Sequence, residues 1–199
     1  MDTKENIVKT ALQLFLQNGY EKTSLNHIAR EVGITKPAIY HHFKNKDELI
    51  HQVLSYFFKE MGEWSKSRFE SCKTLKALLK AFFQSLKSFK EVAEILLGKQ
   101  KKSTSYSFLE LLLAASKKDP SIQKRIEAGF LLTRRFLKDK LLQAQKRGEI
   151  RDDIDCETFA FQIHALIEGT SLISYLDKSV NIETIGEKMF NNIWKMLKK

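Results

Sequence analysis

Chain breakers are scarce in this sequence: 199 residues carry only two prolines and eight glycines, while Lys, Leu, Ala, Glu and Gln dominate. Stretches that alternate apolar and polar residues with period two are hard to find, whereas apolar residues recur at helical spacing throughout. Good helix formers at helical periodicity, with few interruptions, specify an all-α protein. A hydrophobic content of 43% over this length builds a real core, in one ordinary domain or two small ones. No fixed-period repeat or low-complexity tract interrupts it.

Other classes are set aside by what the chain lacks. No 18-residue apolar run spans a bilayer, and the start, MDTKENIVKT, is polar and mixed in charge, so a cytoplasmic protein is expected. Cys72 and Cys156 stand far apart without metal-ligand spacing, which predicts neither a disulfide nor a zinc site. No glycine-rich phosphate loop, H-E-x-x-H, G-x-S-x-G or clustered acid pair appears, so neither an enzyme nor a cofactor is implied. The net charge of +10 lies mostly in the middle of the chain, where residues 51 to 151 carry twenty-two Lys/Arg against ten Asp/Glu. A basic balance favours polyanions, but lysines spread along helices commonly form a solvated face.

Punctuation places the first helices. Lys4 to Asn18 carries an apolar stripe through Ile7, Val8, Ala11, Leu12 and Phe15 and stops at Gly19. A short helix follows, capped by Ser24 or Thr23, with Leu25, Ile28, Ala29 and Val32 inward and Gly33 at its end. Thr35 caps a third helix of two turns, with Pro37 in its first turn where a missing N–H costs little. Asn45 and Glu48 form a capping box for a fourth. Two short helices joined by a tight turn, behind a longer one, describe a helix-turn-helix. Ile34, Ile39 and Phe43 form the buried side of its second helix. Thr35, Lys36, Ala38, Tyr40 and His41 form the exposed side. Adjacent His41 and His42 point about 100° apart and do not readily share a metal.

The 44 residues from Ile7 to Ile50 closely resemble the N-terminal DNA-binding domain of TetR-type, tetracycline-repressor-like regulators. That family's pattern appears as Phe15/Gly19/Tyr20, Thr23/Ser24/Leu25/Ile28/Ala29, Gly33/Ile34/Thr35, Ile39/Tyr40/His42/Phe43 and Lys46/Asp47/Leu49. The resemblance implies that Thr23, Ser24, Tyr40 and Lys46 meet phosphates and that Thr35, Lys36, Pro37, Ala38 and His41 face bases. It also implies a helix-turn-helix domain over residues 1–47, followed by a helical effector-binding and dimerisation domain over 48–199.

Beyond Leu49 the fourth helix runs to the middle sixties. A stripe through Leu75, Leu78, Leu79, Phe82, Leu86 and Phe89 marks the next helix, VAEILLG forms a short segment ended by Gly98, and KQKKSTS reads as a loop. Tyr106 to Lys117 is another helix. The long helix Ser121 to Arg147 has two apolar sides, one through Ile122, Ile126, Phe130, Leu137, Leu141 and Ala144, the other through Leu132, Phe136 and Leu142. Residues 156 to 176 are apolar nearly all round, and Asn181 caps a last helix. The segment from Gly148 to Gly169 resembles the C-terminal pattern of many TetR-type proteins, where two long helices form a four-helix homodimer interface; helices 121–147 and 156–176 are so assigned.

The resemblance further implies an operator of double-stranded DNA, release by a small-molecule effector, and a pocket for that effector. Trp64, Phe82, Phe108, Phe130 and Tyr175, together with Tyr106, suggest an apolar cavity, with Arg134, His164 and Glu168 as polar handles. Two alternatives stand beside this. The aromatics fill core and the His164–Glu168 pair belongs to the dimer interface, or the C-terminal half is a protein-interaction or nucleoid-associated module without a small ligand.

Overall fold

The computed structural model describes residues 2–97 and 105–199, with side chains described outside 87–97 and 105–107. Gly98, most of the polar KQKKSTS stretch, and the side chains of Phe89 and Tyr106 therefore lie outside the described residues. Among the described residues the chain forms nine α-helices and no strand: α1 (Thr3–Asn18), α2 (Leu25–Val32), α3 (Lys36–His42), α4 (Lys46–Phe69), α5 (Leu75–Leu97), α6 (Ser105–Ser116), α7 (Pro120–Lys146), α8 (Cys156–Leu176) and α9 (Ile182–Leu197). The expected all-α class holds. One boundary is corrected, since residues 92–97 continue α5 instead of forming a segment of their own. Among the described residues no helix is long and apolar enough to cross a membrane.

The chain divides into two compact units, residues 1–64 with 90–123 and residues 65–89 with 124–199. In the first, α1 supplies Ile7, Ala11 and Leu12, all fully buried, to a core completed by Ile28, Ile39, Leu49, Val53 and Leu54. Each Ile, Leu or Val among these contributes about 1.5–3 kcal/mol by leaving water. α6 packs on α1 and stacks Phe108 on Phe57 of α4, ring centroids 4.0 Å apart.

In the second unit, Leu75, Leu78, Leu79 and Phe83 of α5 are buried, as are Leu137, Leu141, Ile163 and Leu197. Phe83, not the expected Phe82, is the inward ring, and Phe82 is half-buried against Phe69 with centroids 4.6 Å apart. Gly186 lets α9 approach α5 closely, because a Cβ there would stand 2.9 Å from the Phe83 carbonyl oxygen. After α7, the Glu149 carboxylate accepts the Leu75 N–H at 2.8 Å and so caps α5. The Gln145 amide donates to the carbonyls of Arg151, Asp152 and Ile154, fixing the connection to α8. The thiols of Cys72, half-buried, and Cys156, buried, are both free.

Candidate nucleic-acid interface

The α2–α3 turn is built from local hydrogen bonds. Ser24 Oγ accepts the His27 N–H at 3.2 Å to start α2, whose Leu25, Ile28 and Ala29 face inward. Gly33 ends it in the left-handed region, φ 79° and ψ 29°, where an L side chain would be strained. Its N–H reaches Arg30 O at 3.2 Å, and that of Ile34 reaches Ala29 O at 3.0 Å. Thr35 Oγ1 then accepts the Ala38 N–H at 3.4 Å, with Pro37 in the first turn of α3. The capping box of α4 also forms: Glu48 N–H donates to Asn45 Oδ1 at 2.8 Å, and Lys44 N–H to Glu48 Oε2 at 2.8 Å.

α3 is anchored by Ile39 and Phe43, 0% and 1% exposed, and this rotation determines which groups face outward. Thr35, Lys36, Pro37, Tyr40 and His41 are exposed, Tyr40 by 43% despite its size, while Ala38 and His42 are half-buried. The His41 and His42 rings meet edge to face at 5.6 Å. Among the described residues no group of three His, Cys, Asp or Glu is placed to hold a metal. Ser24 is exposed at the start of α2.

Two of the residues expected to meet phosphates bond within the chain. Thr23 is 0% exposed; its hydroxyl donates to Gly19 O at 2.9 Å and its N–H to Tyr20 O at 3.3 Å, so both groups close the α1–α2 turn. Lys46 turns its ammonium inward, donating to Tyr20 O at 2.9 Å and lying 4.3 Å from the Tyr20 ring centroid. Partial burial lowers its pKa, with Lys118 nearby adding to the effect. Sequence reasoning passed over Lys44, exposed between α3 and α4, and Lys4, whose ammonium stands 5.6 Å from the Phe43 ring. The string K-N-K beside Phe43 was the available signal for the first.

Behind the turn lies a cleft of about 70 Å³ lined by Tyr20, Asp47, Ile50 and His51 together with Ala115, Lys118, Asp119 and Ile122. The Tyr20 hydroxyl donates to Asp47 Oδ1 at 2.9 Å; burial, and then this carboxylate, raise the phenol well above its usual range. Lys118 pairs with Glu21 at 2.8 Å and His51 with Asp119 at 2.8 Å. The Lys118 hydrogen bond lowers the Glu21 pKa, and hydrogen bonds from Ser121, then His51, lower that of Asp119. None of the residues expected to line an effector cavity belongs to this cleft.

The eight residues expected to line a pocket divide between the two units. Trp64 and Phe108 belong to the first unit and the other six to the second. Phe130, 39% exposed, meets the His164 ring edge-on at 5.1 Å, and His164 Nε2 lies 3.5 Å from Glu168 Oε1. Arg134 stands 5.9 Å from the Phe161 ring, and the Lys178 ammonium 4.5 Å from that of Tyr175. His164 is buried beside an exposed Glu168, so this cluster opens onto the α7–α8 surface.

Comparison with known proteins bears on both halves of the chain. The model of bacterial regulatory proteins of the tetR family matches residues 7–53, and that of the tetracyclin repressor-like C-terminal domain matches 107–184. The HTH-type transcriptional regulator AcrR of Shigella flexneri is 40% identical over 62 residues, 31% of this chain and 29% of that protein. The HTH-type transcriptional repressor ComR of Escherichia coli is 25% identical over 163 residues, 81% of this chain and 74% of that one. The first curated relatives are thus matched over less than a third of their length. A transcriptional regulator from Saccharomonospora viridis, solved with choline, shares the fold with a TM-score of 0.80 at 18% identity, covering 98% of this chain and 97% of that chain. With an N-terminal and a C-terminal model of one family matched in order along it, the chain belongs to the tetR family of bacterial regulatory proteins.

Proposed function

We propose that this chain is a homodimeric repressor that binds a palindromic DNA operator through α2 and α3 and leaves it when a small molecule binds its C-terminal half. The observation that carries the reading is the outward face of α3, where Lys36, Tyr40 and His41 are exposed on a two-turn helix pinned by Ile39 and Phe43. A short helix held rigidly with donors outward suits the major groove. Ser24 and Tyr40 then contact phosphates, and Thr35, Lys36, Pro37 and His41 meet base edges, with Ala38 supplying a methyl at the margin. Residues 1–47 form the DNA-binding domain and 48–199 the effector and dimer domain, and the protein works in the cytoplasm, where its operator is. Likeness to the repressor ComR supports the sign of regulation, and the choline complex of the Saccharomonospora viridis protein supports a small organic effector.

The apolar outer side of α7 and α8 supports the dimer. Leu132, Phe136, Phe161, Ile173 and Leu176 are exposed large side chains there, and a second copy seated on them buries what water now covers. Phe130, His164 and Glu168 belong to that interface on this reading. Selection of duplexes from a random-sequence library tests the whole: recovered sequences share an inverted repeat with half-sites about one helical turn apart. Recovery of unrelated, asymmetric sequences rejects the reading. Native mass spectrometry of protein purified from cells reports the dimer and any retained effector.

A further inference from the structure

The second unit brings the start of α5, the connection after α7 and the end of α9 together at one end. Glu149 of the connection accepts the Leu75 N–H that opens α5. The Arg151 N–H donates to Leu197 O at 2.9 Å, which ties the end of α9 to the same connection. The Lys76 ammonium lies 5.6 Å from the Trp194 ring centroid, so α5 and α9 also meet through side chains.

This end is crowded with lysine. Lys73, Lys76 and Lys80 come from the start of α5 and the residues before it, Lys195, Lys198 and Lys199 from the end of α9, and all six are exposed. Several lysines elsewhere find carboxylates: Lys9 pairs with Glu5, Lys118 with Glu21 and Lys138 with Glu157, at 2.6 to 2.8 Å. Here the acidic groups are already engaged, Glu149 with Arg147 and Asp153 with Arg151. Among the described residues no carboxylate stands within ion-pairing distance of the six lysines, and exposed Asp152 offsets one of their charges at most. Lysines spread round one helix make a solvated face, but these converge from two. Like charges held together raise the local potential, and a polyanion gains by releasing its own counterions when it meets them.

The chemistry selects phosphate, with duplex DNA as its source. Lysine offers a point charge and not the planar fork by which arginine reads a guanine edge, and Arg147 and Arg151 are held by carboxylates. Trp194 is half-buried beside Lys76, so it is not presented to enter a lipid surface or to stack on an unpaired base. A chain of this family works where duplex DNA is the abundant polyanion.

We propose that this end of the second unit is a second DNA-binding surface, one that holds the phosphate backbone of a duplex without reading its sequence. It goes beyond the operator reading and does not depend on α2 and α3.

Binding of a random-sequence duplex tests it, in full-length protein carrying Lys36→Ala and Tyr40→Phe so that α3 contributes little. Adding Lys76→Gln, Lys80→Gln, Lys195→Gln and Lys198→Gln is expected to weaken that binding about tenfold or more at low salt. The slope of log affinity against log salt should fall by about 3, since each phosphate contact carries about 0.9. The matching four Lys→Arg substitutions keep both affinity and slope. In an otherwise wild-type chain the four glutamines leave unchanged whatever sequence preference that chain shows. Circular dichroism melts establish folding. If the glutamine chain does not fold, amine-reactive labelling of wild-type protein takes its place, with Lys76, Lys195 and Lys198 expected to be protected by the random duplex. Affinity and slope unmoved by the glutamines, no protection of those lysines, or tighter glutamine-sensitive binding to phosphatidylglycerol vesicles or polyglutamate than to the duplex overturns the proposal. Because the duplex is random and α3 is altered, failure of the operator reading leaves this result standing, and the reverse holds too.

Discussion

Ile7, Ala11, Leu12, Ile28 and Ile39 of α1 to α3 are 0% exposed, whereas Leu132 of α7 and Phe161 and Leu176 of α8 stand 65%, 57% and 67% in water. Both regions are helices with apolar stripes. The N-terminal helices each have one stripe and bury it among themselves, so what remains outside is polar and suited to a polyanion. α7 has two stripes, and Leu132 and Phe136 of the second stay exposed, so that side is left for something else. The same helical periodicity therefore yields a finished surface in one region and an unfinished one in the other.

Substitutions sharpen that contrast. The largest effect is expected from Leu132→Glu combined with Phe161→Glu, which should raise the dimer dissociation constant about a thousandfold, as for two interface anchors at about 2 kcal/mol each. Sedimentation would show a 23.1 kDa species, with helix content retained. Wild-type protein that is already monomeric at micromolar concentration would break the comparison. Next, Gly186→Ala presses a methyl against the Phe83 carbonyl and should cost about 1–3 kcal/mol in urea unfolding, without altering DNA preference. On the polar face the effects are smaller. If Tyr40 meets a phosphate as proposed, Tyr40→Phe should weaken binding about fivefold on every duplex, while His41→Ala should change which duplex is preferred. Competition binding with selected and random duplexes distinguishes the two.

The smallest effect concerns acid. Glu21 and Asp119 have pKa values held below their ordinary ones, so their contribution is present above the ordinary carboxylate pKa and is lost as pH falls through the lowered value. The melting difference between wild type and Glu21→Gln should thus be present at pH 7 and disappear only in acid below the ordinary carboxylate range. A difference that persists in acid would show that the charge of Glu21 is not what matters.

Helix starts were legible because a cap uses neighbours: Ser24, Thr35, Asn45 and Asn181 each accept from an N–H group three residues ahead. The exposed face of α3 followed from the same local spacing. What escaped depends on separation in sequence. Lys46 reads as a free cation at a helix start until the Tyr20 carbonyl arrives from 26 positions away, and Thr23 reads as a cap until its hydroxyl finds Gly19. Phe82 and Phe83 are equally apolar neighbours seven and eight positions after Leu75, so helical spacing fits either one as the inward ring.

The carboxylate of Glu149 caps a helix that begins 74 residues earlier. During synthesis α5 therefore leaves the ribosome well before its distal cap has been made, and its first turn must rely on the Thr74 hydroxyl alone, which accepts the Ala77 N–H at 3.1 Å. Closure of that turn waits until the residues after α7 emerge, so a helix made early is completed by a group made much later.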